Sequence, residues 1–134
     1  MMRYMLDTNI CIYLIKRKPT TVLDHLSMHH PEEICISSIT YGELLYGAYK
    51  SSFPDRNLLA LQLFLATIDS LPVNTTTCDT YGKIRASFEK AGIPIGPNDT
   101  WIAAQALTEG CILVTNNTKE FSRVPLLEVE NWTV

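Results

Sequence analysis

The chain has 134 residues, 46 % of them hydrophobic and 19 % charged, with a formal net charge of −3. That length fits one domain over 1–134, and the composition is that of a folded protein, which disfavours both a disordered chain and a simple basic nucleic-acid-binding module. No apolar run reaches the ~20 residues that cross a bilayer and the N-terminus lacks signal-peptide features, so the expected protein is cytoplasmic, with no membrane partner.

A short apolar run beginning at Met1 ends on Asp7, and Ile10 to Ile15 then reads as a helix, so Asp7 sits at the C-terminal end of a buried strand. Lys16-Arg17-Lys18-Pro19 closes that helix with cations suited to its negative end and a proline that stops it. These three cations read as a solvated helix end, with a substrate-phosphate contact as the alternative. Thr20 or Thr21 starts a second short helix through Ser27. His29-His30-Pro31 reads as a polar loop and not a metal site, because adjacent histidines point apart on any regular element.

Ile34 to Ser37 is a second buried strand. Ser38-Ile39-Thr40 turns into a helix reaching Lys50, with Tyr41, Leu44, Leu45 and Ala48 as its apolar stripe and Glu43 off that stripe in the first turn. A loop over 51–55 precedes a helix with Leu61, Phe64, Leu65 and Ile68 on one face. Leu71-Pro72-Val73 fits only an edge strand, since proline cannot donate to the ladder. Thr76 or Thr77 starts a helix that runs to Gly92, with Tyr81, Ile84 and Phe88 facing inward. Ile93 to Pro97 is irregular, Asn98 caps a helix to Glu109, and Gly110 ends it. Cys111 to Thr115 is a strong strand, and the tail from Leu126 to Val134 supplies one more at an edge. This order predicts an α/β domain of three layers, a parallel sheet flanked by helices, with the strand C-termini along one ligand-binding edge. The four cysteines, Cys11, Cys35, Cys78 and Cys111, stand singly and read as buried reduced thiols.

Three carboxylates come to that edge, and each has a bland reading. Asp7 can cap the helix after it. Thr40-x-x-Glu43 matches the capping box, in which the glutamate folds back onto the cap residue. Asp99 differs, because it heads the buried stripe Ile102, Ala103, Ala106, where a lone charge is costly unless it is paired or holds a metal. Taken together, three converging carboxylates repel one another unless a cation lies among them. The all-oxygen set favours Mg²⁺, with Mn²⁺ able to substitute, and no histidine or cysteine cluster favours zinc.

Four stretches carry a resemblance: Met5-Leu6-Asp7-Thr8-Asn9, then Ser37-Ser38-Ile39-Thr40-x-Gly42-Glu43-Leu44-x-Tyr46-Gly47, then Gly96-Pro97-Asn98-Asp99-x-x-Ile102-Ala103-Ala104-x-Ala106, then Leu113-Val114-Thr115-Asn116-Asn117-x-x-Glu120-Phe121. In this order and spacing the chain resembles a PIN-domain ribonuclease of the VapC toxin family. The resemblance implies a Mg²⁺-dependent endoribonuclease that hydrolyses RNA, tRNA among its targets, through a metal-activated water. It also implies a VapB-type antitoxin as partner, operator DNA engaged only through that antitoxin, and a homodimer. It places the acidic cluster on Asp7, Glu43 and Asp99, with Asp7 and Asp99 as direct ligands. Many family members carry a further aspartate after the last strand's threonine, where this chain has Asn116 and Asn117, with Glu120 the nearest acid.

Asn9 and Thr115 are expected to orient Asp7 or a bound water, local backbone capping being the alternative. Tyr46 and Trp101 read as core, with stacking on an unpaired base as the alternative. Lys16, Arg17, Lys18 and Arg85, with Arg56, Lys83 and Lys119, are the candidate phosphate contacts. Two rival functions stay in view. One is a catalytically weak PIN-fold binder of RNA or antitoxin, suggested by the missing fourth acid. The other is a receiver-type signalling module, disfavoured because the first strand ends in a single acid and the last in no lysine.

Overall fold

The computed structural model describes residues 2–134; Met1, the start of the first apolar run, lies outside the described residues. Five strands, β1 Tyr4–Leu6, β2 Ile34–Ser37, β3 Asp69–Leu71, β4 Ile112–Val114 and β5 Val129–Glu130, form one sheet in the order β3-β2-β1-β4-β5. Every neighbouring pair is parallel, as the alternation of strands and helices predicted. The central strands are apolar on both faces because helices cover both. Met5, Cys35 and Leu113 join one core with Ile84, Phe88 and Ile102. Their strand neighbours Leu6, Ile34, Ile36 and Val114 join the other with Ile10, Leu14, Val22, Leu61 and Trp132.

The helices are α1 Thr8–Lys16, α2 Thr20–Ser27, α3 Ser38–Lys50, α4 Pro54–Leu65, α5 Thr75–Lys90, α6 Pro97–Glu109 and α7 Thr118–Phe121. Several boundaries differ from the sequence expectation for identifiable reasons. The first helix ends on Arg17, which takes the left-handed conformation (φ 61°). Pro31–Glu33 forms one 3₁₀ turn within the expected polar loop. The third strand lies at Asp69–Leu71, before Pro72, and it is an edge strand as required. Asn74, not Thr76 or Thr77, caps α5 by accepting the Thr77 amide at 2.9 Å. Gly96, not Asn98, is the cap of α6, because Pro97 takes the first helical position, where its missing N–H costs nothing. Gly110 ends α6 in the left-handed conformation (φ 68°), as expected.

Helices α5 and α6 run antiparallel: Thr77 Oγ1 meets Thr108 Oγ1 at 2.9 Å, and the Tyr81 and Trp101 rings stack with centroids 3.6 Å apart. This hairpin returns the chain to the C-terminal edge of the sheet just before Asp99. The buried Gln105 ties α6 to the sheet by donating to Leu71 O at 2.9 Å and Pro72 O at 3.1 Å. Cys11, Cys35 and Cys111 are buried free thiols as expected, whereas Cys78 is exposed, since it lies on the outer face of α5. No helix among the described residues is long and apolar enough to cross a membrane.

Candidate active site

Asp7 leaves β1 and caps α1, its Oδ1 accepting the Ile10 amide at 2.9 Å. The capping reading is therefore correct, yet it does not exhaust the residue. Asp7 is only 4 % exposed, and burial pushes its carboxyl above the ordinary range. Hydrogen bonding from Thr115 and from the Ile10 and Asn9 amides pulls it back, and the Glu43 charge raises it again. Thr115, buried at the end of β4, thus serves Asp7 directly, while Asn9 does so through its backbone.

Glu43 is not part of a capping box. The cap of α3 is Ser37, whose hydroxyl accepts the Ile39 amide at 3.0 Å, so α3 begins three residues before the box would require and Glu43 falls in its second turn. Its carboxylate turns instead to other elements. Oε1 accepts the Thr8 hydroxyl at 2.5 Å and Oε2 accepts the Asn98 amide at 3.3 Å. Thr8 and Asn98 belong to the quoted sequence stretches, but nothing local marks them as partners of Glu43.

Asp99 stands in the first turn of α6. Burial raises its carboxyl first, then the charges of Asp7, Glu43 and Glu120, together pushing it to about 6. Asp99 therefore feels three other acids at this edge, and the four come from the end of β1 and from α3, α6 and α7. Asn117 donates to Glu120 Oε2 at 3.1 Å and its own amide is received by Thr115 Oγ1 at 2.9 Å. Asn116 instead turns to α1, donating to the Tyr13 hydroxyl at 3.1 Å.

The donor set is all carboxylate and amide oxygen, and its mutual repulsion is what a hard divalent cation relieves, so these residues fit such an ion. No three His, Cys, Asp or Glu side chains among the described residues close into a ready-made cage. An ion that keeps several waters and takes one or two carboxylates needs none.

The cations that close α1 do not reach this edge. Lys16, Arg17 and Lys18 close α1, whose nine residues carry them about 13 Å from Asp7 at 1.5 Å per residue. Lys16 instead lines an apolar groove between α1, α3 and α4. Arg85 donates to the Tyr81 hydroxyl at 2.6 Å and lies beside the loop leading to α6. Trp101 packs against Tyr81 as a core residue would. Tyr46 does not: it is 65 % exposed and lines a groove of about 580 Å³ with Thr8, Glu43 and Asn98. His25 and His29 stack parallel to Trp132 at 5.6 and 5.4 Å.

A parallel sheet with one buried and three half-buried acids collected at its C-terminal edge defines a class, and comparison with known proteins gives it a family. The PIN domain model matches residues 4–127. The tRNA(fMet)-specific endonuclease VapC of Shigella flexneri is 45 % identical over 133 residues, covering 99 % of this chain and 100 % of its own length. Ribonuclease VapC2 of Haemophilus influenzae is 46 % identical over 132 residues, covering 98 % and 99 %. A chain in the crystal structure of DNA-bound VapBC from Salmonella typhimurium superposes with a TM-score of 0.92 at 42 % identity, covering 98 % of this chain and 99 % of its own. The chain belongs to the PIN-domain family, among the VapC ribonucleases.

Proposed function

We propose that this protein is the toxin of a toxin–antitoxin pair, a Mg²⁺-dependent endoribonuclease that cuts RNA of the tRNA class at the edge bearing Asp7, Glu43 and Asp99. The observation that carries the reading is the convergence of these acids: Asp99 is raised by the charges of both others and of Glu120, although its helix start would by itself favour a negative charge. The tRNA class is supported by the Shigella relative, whose name specifies a tRNA.

Asp7 and Asp99 would hold the cation, with Glu43 turned to the same space. When bound, the ion supplies a Lewis acid that makes a water a better nucleophile and offsets charge developing on phosphorus and the leaving oxygen. The chain's own residues do the positioning. The Ile10 amide and Thr115 fix Asp7. Thr8 and Asn98 each hold one oxygen of Glu43, which fixes the plane of its carboxylate and leaves it to orient water entering the groove. Asn117 holds Glu120 behind Asp99.

The partner is a small VapB-type antitoxin, and DNA is engaged through that antitoxin, a reading supported by the DNA-bound Salmonella VapBC complex of the same architecture. The test is cleavage of purified total cellular RNA by antitoxin-free protein, with Mg²⁺ or EDTA, beside Asp7→Ala and Asp99→Asn proteins of verified fold. Discrete Mg²⁺-dependent fragments absent from both variants are expected. A folded, metal-loaded wild type that binds RNA and cuts none would replace hydrolysis by the reading of a PIN-fold binder, which the neutral Asn116 and Asn117 favour.

A further inference from the structure

Tyr46 lies on the outer face of its own helix, off the buried stripe. Leu44 and Ala48 bury the inner face of α3, yet the Tyr46 ring stays 65 % exposed, forgoing the large stabilisation that burying an aromatic ring gives. It stands three residues after Glu43, one turn along the same helix face, and lines the same groove of about 580 Å³. Gly42, on that groove as well, has no heavy atom within 4 Å of where a Cβ would lie, so the space beside the ring is open to a flat group. Lys50, one further turn along, holds its ammonium 5.5 Å from the centre of the Tyr46 ring. An exposed ring with a cation beside it therefore stands one turn from Glu43 on the wall of the same groove.

We infer that Tyr46 and Lys50 form the subsite for a nucleotide flanking the bond that is cut, the ring stacking on an unpaired base and the ammonium meeting a neighbouring phosphate. The inference rests on the endoribonuclease reading above. An acidic edge repels the RNA backbone, so affinity has to come from the groove walls. Aromatic rings and a nearby cation are the groups that hold single-stranded RNA without reading its sequence, because every base offers a flat π-face. The nucleotide beside the cut must leave its stack to let the phosphate reach the acids, and Tyr46 offers that base a replacement partner. Core packing accounts for none of these placements.

The experiment is binding of a fluorescently labelled, unstructured oligoribonucleotide of mixed sequence, followed by anisotropy in EDTA so that no turnover occurs. Wild type is compared with Tyr46→Ala, Tyr46→Leu and Tyr46→Phe, each checked for an unchanged melting temperature. Loss of one base–aromatic stack predicts that the Ala and Leu proteins bind about tenfold more weakly and that Phe stays within about twofold of wild type. Lys50→Gln should lower the slope of log affinity against log salt by about one. Leu binding as tightly as wild type, or Ala unchanged, overturns the stacking subsite. Cleavage of total RNA in Mg²⁺ by the same wild-type preparation separates the two levels. If wild type cuts RNA while the Ala protein binds it normally, only the subsite falls; if wild type neither cuts nor binds, both readings fall together.

Discussion

The hydroxyl of Thr8 donates to Glu43 Oε1 at 2.5 Å, across 35 positions of sequence, and so locks the first turn of α1 to the second turn of α3. Thr40 Oγ1 lies 3.3 Å from the same hydroxyl and completes the junction. The bond holds one side of the acidic edge rigid, since Glu43 otherwise has only the longer Asn98 contact.

Thr8→Val keeps the shape of the side chain and removes the donor. A hydrogen bond to a charged group is worth about 1.5–3 kcal/mol, so RNA cleavage should fall by about tenfold or more, while Thr8→Ser retains most of it. Initial-rate assays on total RNA, with melting curves of both proteins, check this. Equal rates for Val and Ser would mean that Glu43 needs no anchor.

Asp99 titrates at about 6 instead of 3.8. The folded state holds this proton more tightly than the unfolded chain, so the ionised group destabilises the metal-free fold. That penalty is complete above about pH 6 and disappears as the pH falls toward the unfolded value near 4. Metal-free Asp99→Asn should therefore melt above metal-free wild type near pH 7.5, with the gap narrowing by about pH 5. Adding Mg²⁺ should raise the melting temperature of wild type and leave that of Asp99→Asn nearly unmoved. Scanning calorimetry with and without EDTA reads both effects.

Cleavage should vanish in EDTA and return with Mg²⁺. Because a ligating carboxylate must be ionised, the rising limb of the rate–pH profile should lie near 6 at low Mg²⁺ and move to lower pH as Mg²⁺ increases, the metal competing with the proton. A limb that stays put across Mg²⁺ concentrations would assign it to another group. Thr115→Val, which removes a contact that lowers the Asp7 carboxyl, should raise that carboxyl and so increase the Mg²⁺ concentration needed for half-maximal cleavage.

Trp132 is fully buried, its ring parallel to His25 and His29 within 6° and its indole N–H donated to Glu130 Oε1 at 3.0 Å. It fastens the last segment of the chain over the core. Trp132→Ala should cost about 3–5 kcal/mol in urea unfolding, and Trp132→Phe distinctly less. A change under about 1 kcal/mol would show that the cavity collapses or that the tail is dispensable.

The sequence by itself determined the layer order, the parallel sheet and the edge on which the acids lie. Strand ends, apolar periodicity, Pro97 and Gly110 are local signals, and the physics they report is local. It also identified Asp99 as an acid out of place, because a charge heading a buried stripe is costly wherever the helix packs. It misread Thr40-x-x-Glu43, since a capping box and a glutamate held by another helix share the same spacing, and only the packing of α1 against α3 tells them apart. Tyr46 reads as core because an aromatic residue in an amphipathic helix usually packs inward, although it stands off the stripe of Tyr41, Leu44, Leu45 and Ala48 and the structure leaves it exposed. For Lys16, Arg17 and Lys18 the sequence leaves a substrate-phosphate contact open beside the solvated helix end, because it does not show that α1 carries them away from the edge it starts on. What tertiary structure alone decided is which groups meet: the strand order β2-β1-β4 sets Thr8 against Glu43 and Thr115 beside Asp7, and the α5–α6 hairpin returns Asp99 to them. Those encounters depend on distances between residues far apart in the chain, which no local pattern encodes.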